Sequence, residues 1–253
     1  MSTMQAMTLT EHLGELRMRL VKCSIAILLA TVAIWNYYPT IFALVRKPFD
    51  EVHSQHASAI LALTGVTSGF SLQLRVCMTA GIVISSPIWI FQIWKFVAPG
   101  LKQNERRWAY LFTAVAVPLF ASGVLLAYYV MPRMLNILYQ FTPQNVNNVT
   151  SVDTYLSFFT HLVLFFGLGF LLPLILLMLN FVGILRGEAL RNAWRWIILG
   201  SFIFGAVATP NGDPVGMTTV ALPMIVLSFA AVGVALLNDK RKQKSFEDAL
   251  EQS

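Results

Sequence analysis

The fold this sequence predicts is an all-α membrane protein with six transmembrane helices and both termini on the same side. Three observations carry that expectation. Hydrophobic residues make up 57% of the 253 positions and charged residues 12%, and that charged share is about half what a soluble domain carries. The apolar residues come in continuous runs, several of them long enough to cross a hydrocarbon core, for which about 20 helical residues suffice. They do not alternate with polar residues, as strands of a membrane barrel would. Finally, the lysines and arginines collect on one side of those runs.

The spans follow in order. The first covers about 21–38 and stops near Pro39. The second covers about 71–96, with Pro87 inside. The third covers about 108–131 and ends at Pro132. The fourth covers about 155–184, with Pro173 inside, and the fifth 194–208, stopped by Thr209-Pro210. The sixth covers about 215–237, with Pro223 inside. A proline inside a membrane helix removes one backbone hydrogen bond and bends the helix. The fifth run would rise only about 22 Å. That is short of a core of about 30 Å and implies either local thinning of the bilayer or cover from neighbouring helices.

Residues 1–20 read as a cytoplasmic amphipathic segment. Thr8-Leu9-Thr10-Glu11 fits a capping box, and Leu9, Leu13, Leu16 and Leu20 recur at three- and four-residue steps, forming an apolar stripe. Such a helix lies on the membrane before the chain turns inward. It is not a removable leader, because Glu11 and Glu15 interrupt it and no small-residue cleavage site follows. Residues 238–253 read as a charged cytoplasmic tail, expected to be solvated and disordered. The loop over 39–70 is expected to form a structured external cap. The loop over 142–154 is polar and Asn-rich, and Asn211 to Pro214 reads as a tight turn that makes the last two spans a hairpin.

Of the 18 lysines and arginines, only Arg46, Lys47, Arg75 and Arg133 fall on the side away from the termini. The positive-inside rule then places both termini in the cytoplasm of a bacterial or archaeal plasma membrane. The net charge of +6 is accounted for by that orientation and does not indicate nucleic-acid binding. Cys23 and Cys77 match no metal or redox spacing and read as apolar fillers. No Walker A pattern is present, so no nucleotide hydrolysis is expected, and no cofactor or metal is implied. Ser157 and His161 share a helix face but lack an oxyanion loop or GxSx motif, so no enzyme is expected. His161 reads as a bundle-facing hydrogen-bonding residue; a proton relay there would want a carboxylate in a neighbouring span. A secondary solute transporter would want an intramembrane charge or broken helices from an inverted repeat, and neither is evident.

The most informative chemistry lies at two cytoplasmic edges, HLGELRMRL at His12–Leu20 and QIWKFVAPGLKQNERR at Gln92–Arg107. Each sets a carboxylate, Glu15 or Glu105, on a surface otherwise rich in arginine and lysine. Topology alone does not require a carboxylate there, but recognition of a cation does. Each could take one guanidinium through charge-assisted hydrogen bonds. Exposed pairs contribute only about 0.2–1 kcal/mol each, so tight binding needs an added apolar contact in the membrane.

With those two motifs the chain resembles the TatC family, the multi-spanning core of the twin-arginine, or Sec-independent, protein translocase. KPF at Lys47–Phe49, AYYV at Ala127–Val130, YLSF at Tyr155–Phe158, FGLGFLLP at Phe166–Pro173 and the ATP…D turn at Ala208–Asp213 follow in the family's order. The resemblance implies a glove-shaped six-helix bundle that recognises signal peptides bearing two consecutive arginines and exports folded proteins on the proton gradient. It assigns the arginine pair to Glu15 and Glu105. It assigns the surrounding surface to His12, Arg17, Phe96, Pro99, Gly100, Arg106 and Arg107, and the external cap to Pro48. It also implies single-span TatA- and TatB-like partners and homo-oligomers within the complex. Two positions depart from the family pattern. Leu171 stands where FGxSFExP carries a glutamate, and Met217 stands near a customary glutamine. A divergent member that binds signals or partners but translocates poorly is the alternative they raise.

Overall fold

The computed structural model describes residues 9–53, 59–63, 65, 67–97, 105–141, 143, 148–209 and 214–251. Helix α1 (Leu9–Ala33) leads through a 3-10 turn, Trp35–Tyr37, into α2 (Tyr38–His53). Strand β1 (Ala59–Ala62) precedes α3 (Ser68–Ile84) and α4 (Ser86–Val97). Then come α5 (Glu105–Gln140), β2 (Asn148–Ser151), α6 (Val152–Val182), the short α7 (Gly187–Asn192), α8 (Trp194–Ala208) and α9 (Pro214–Glu251).

Among the described residues, three helices are long and apolar enough to cross a membrane, within α5, α6 and α9. Two bent pairs, α1 with α2 at 47° and α3 with α4 at 57°, each pass the same test together. The apolar α8, 15 residues long, is the sixth element. Large apolar side chains point outward along these helices, Leu29 at 65%, Tyr129 at 72% and Val226 at 67% exposure among them, as lipid-facing residues do.

Several expectations need correction. The chain does not turn at Leu20, because α1 is continuous from Leu9. Pro39 does not stop a helix; it is the second residue of α2, and the break falls earlier, at Ile34. Pro132 does not end the third span either, since α5 runs on to Gln140. Proline in a first turn forfeits no helical bond, and in membrane helices neighbours re-satisfy the groups an interior proline frees. The second span breaks at Ser85, where the Trp89 ring N–H donates to the Ile82 carbonyl at 2.9 Å. Among the described residues two short strands also form, with β1 pairing parallel to β2 from Ala59 opposite Asn148 to Ala62 opposite Ser151.

The chain divides into two compact units. The first draws on Met1–Ala43 and Gly69–Pro118, the second on Leu44–Ser68 and Leu119–Ser253. In the first, α1 packs on α4, and Val76, Cys77, Ile90, Trp94 and Phe112 are buried. In the second, α9 packs against α6, α7 and α8. A side chain at Gly205 would come within 2.6 Å of the Met217 carbonyl, which explains the close approach of α8 and α9.

The expected disordered tail is helical as far as Glu251. Its start is held by a polar cluster in the second unit. Asn180 Nδ2 donates to the Leu185 carbonyl and to Asp239 Oδ1, both at 2.9 Å. The other Asp239 oxygen accepts from the Gly187 backbone N–H at 2.6 Å. Asn238 donates to Asn180 Oδ1 at 2.9 Å, and Lys242 donates to the Phe181 carbonyl at 3.2 Å. The turn these residues grip begins at Gly183, whose φ of 87° suits glycine and caps α6.

Candidate functional site

The i, i+4 spacing on α1 puts Glu15 and Arg19 on one face, and they form an ion pair through Glu15 Oε1 and Arg19 Nη2. Arg19 is only 8% exposed, a degree of burial an arginine tolerates only when paired. Its remaining partners come from α4. Nη1 donates to the Gln92 carbonyl at 3.3 Å, and the guanidinium lies over the Phe96 ring, 5.9 Å from the centroid. Gln92 and Phe96 are one helical turn apart, so a single face of α4 supplies both contacts.

The second oxygen of Glu15 is the open valence of this cluster. Oε2 is buried and has no hydrogen-bond partner among the described residues. A buried acceptor left unmade costs about 1–3 kcal/mol, more when charged. The arrangement therefore favours any donor that can reach Oε2, above all a cationic one. On a different face of α1, a shallow apolar cavity of about 380 Å³ runs from Leu13 to Ile25, with Arg17 but neither Glu15 nor Phe96 in its lining. Leu13 and Leu20, half of the expected stripe, are 63% and 57% exposed. They turn away from the protein core.

Of the predicted recognition residues, the structure brings Glu15 and Phe96 to this cluster and leaves Arg17 exposed on α1. His12 lies in the first turns of α1, while Glu105, Arg106 and Arg107 open α5. The side chains of those four, and Pro99 and Gly100 entirely, lie outside the described residues. Arg19 and Gln92 were missed as site residues. The Glu15–Arg19 spacing was a readable signal for the first. The second contributes a backbone carbonyl, which any residue could supply.

Pro48, by contrast, has a structural account. It is buried within α2 and has no N–H for the Leu44 carbonyl one turn back. Tyr128 Oη donates to that carbonyl at 3.2 Å, and Tyr155 Oη donates to the next one, Val45, at 2.7 Å. Phe49 meets the Tyr155 ring edge-on with centroids 5.5 Å apart. The KPF, AYYV and YLSF motifs thus converge on one proline-containing helix.

Leu171 is buried at 9% exposure, and Met217 is half-buried against α8. His161 does not face the bundle as expected. It is exposed, with Nδ1 2.6 Å from the Ser157 carbonyl of its own helix and its ring stacked on Phe165. The previous turn of α6 satisfies it, so no packing partner is needed.

A family model described as Sec-independent protein translocase protein (TatC) matches residues 11–223. The chain belongs to the TatC family. Among the family's relatives, the Sec-independent protein translocase protein TatC of Xylanimonas cellulosilytica is 37% identical over 239 residues, covering 94% of this chain and 87% of that one. The TatC protein of Haemophilus influenzae is 33% identical over 224 residues, covering 88% and 86%. A crystal structure of the twin arginine translocase receptor TatC in DDM superposes with a TM-score of 0.77 at 28% identity, over 88% of this chain and 99% of that one. This TatC-family chain is accordingly a membrane protein of a Sec-independent protein translocase.

Proposed function

We infer that this chain is the signal-peptide receptor of its translocase, taking the arginine pair of a twin-arginine signal on the cluster around Glu15. The observation that carries the reading is the open Glu15 Oε2, which has no hydrogen-bond partner among the described residues. An incoming guanidinium supplies the missing donor. A guanidinium also presents a planar fork of donors to a carboxylate, which a lysine ammonium does not. The apolar cavity along α1 offers the membrane-level contact that surface ion pairs alone would lack. Glu105, at the start of α5 in the same unit, takes the second arginine. His12, Arg17, Pro99, Gly100, Arg106 and Arg107 complete the surface.

In this reading both termini are cytoplasmic and the chain sits in a bacterial or archaeal plasma membrane, as its lysine and arginine distribution favours. It works with single-span TatA- and TatB-like subunits, in several copies, and export draws on the proton gradient. The test is photocrosslinking in lipid. A photoreactive residue at Leu16 should crosslink an Arg-Arg signal peptide and lose most of that product with a Lys-Lys peptide. Equal yields from the two peptides would refute the assignment.

A further inference from the structure

A cavity of about 870 Å³ opens in the second unit between the end of α6, α7 and the far half of α9. Arg186, Arg191, Lys240 and Lys242 line it, against two carboxylates, Glu188 and Asp239. Both oxygens of Asp239 are already committed, one to Asn180 and one to the Gly187 N–H. Among the described residues, Arg186, Arg191 and Lys240 have no ion-pair partner. Lys242 is tied to a carbonyl rather than a carboxylate. The floor is fixed by bonded side chains, and basic side chains outnumber carboxylates around it by four to two.

Two features identify the complementary ligand. The cavity has an apolar wall, Leu185, Leu236 and Leu237, beside its basic rim. It also lies where the apolar run of α9 gives way to Asn238-Asp239-Lys240-Arg241-Lys242. Trp194 and Trp196, a short step beyond Arg191, are 46% and 71% exposed, and tryptophans gather at the membrane–water boundary. A free phosphate would use the rim and ignore the wall. An anionic phospholipid uses both.

We propose that this cavity is a binding site for the headgroup of an anionic phospholipid. The ligand's phosphate meets Arg186, Arg191 and Lys240, and its glycerol and upper acyl carbons lie along Leu236 and Leu237. Basic pockets between membrane helices recognise headgroups in this way. The site lies outside the cluster around Glu15 and does not depend on it.

The experiment is native mass spectrometry of the full-length protein, titrated separately with phosphatidylglycerol and phosphatidylcholine. The wild type should retain phosphatidylglycerol preferentially. Arg191→Gln and Lys240→Gln should each weaken that retention about fivefold, the effect expected of one basic residue near an anionic surface. Phosphatidylcholine retention should not change. Arg191→Lys keeps the charge and should stay close to wild type, which separates charge from folding. Wild-type retention in Arg191→Gln and Lys240→Gln would overturn the proposal. So would displacement of the lipid by millimolar inorganic phosphate, which would make the occupant a free anion.

Discussion

Around Asn180, the side-chain amide, the Asp239 carboxylate and the Gly187 N–H are all bonded to one another or to a nearby carbonyl. Around Arg19, the guanidinium has its partners, but the carboxylate that holds it keeps one buried oxygen without a partner among the described residues. Both clusters join helices at the edge of an apolar region, and both contain an acidic residue. The closed one has no free valence to offer a ligand, and its energetic effect is to fasten α9 to the α6–α7 turn. The open one carries an uncompensated desolvation cost, which a ligand cation can remove. On the proposed assignment of Glu15, completeness of hydrogen bonding separates a fastening from a receptor more clearly than residue type does.

The comparison can be strained by putting an open carboxylate into the closed unit. Leu171→Glu does so at a buried position of α6, where a charge in mid-span costs about 3 kcal/mol. The variant should melt well below wild type in detergent. An unchanged melting temperature would mean that the second unit already holds donors for it. Next in size, Asp239→Ala withdraws the acceptor from Asn180 and Gly187 and should cost about 2 kcal/mol. That loss should appear as earlier unfolding and faster proteolysis after Gly183, with the preference for Arg-Arg over Lys-Lys peptides intact. Loss of that preference without loss of stability would reverse the roles assigned to the two clusters.

The helices were largely legible because lipid imposes long apolar runs on any chain that crosses it. The breaks were not. Ile34 and Ser85 carry no local signal stronger than Pro39 and Pro87, and each of those prolines is the second residue of the helix that follows the break. The β1–β2 pair and the Asn180–Asp239 bond join segments far apart in sequence, which no local periodicity records. In the site, Glu15 stood out as an acidic residue on a basic face. Arg19 did not, because a basic residue there is also what orientation alone requires. Its burial also changes how Glu15 should be probed. Glu15→Lys would set two cations together, one of them buried, and confuse folding with recognition. Glu15→Gln keeps the shape and removes the charge.

The most direct measurement is therefore a double-mutant cycle in lipid between Glu15→Gln and a signal peptide whose two arginines are replaced by glutamines, read as peptide affinity. If Glu15 Oε2 receives an arginine, the two changes should be coupled by about 1 kcal/mol or more, the range for contacting partners. If the losses simply add, the arginine pair binds elsewhere and the open oxygen of Glu15 is not the receptor site.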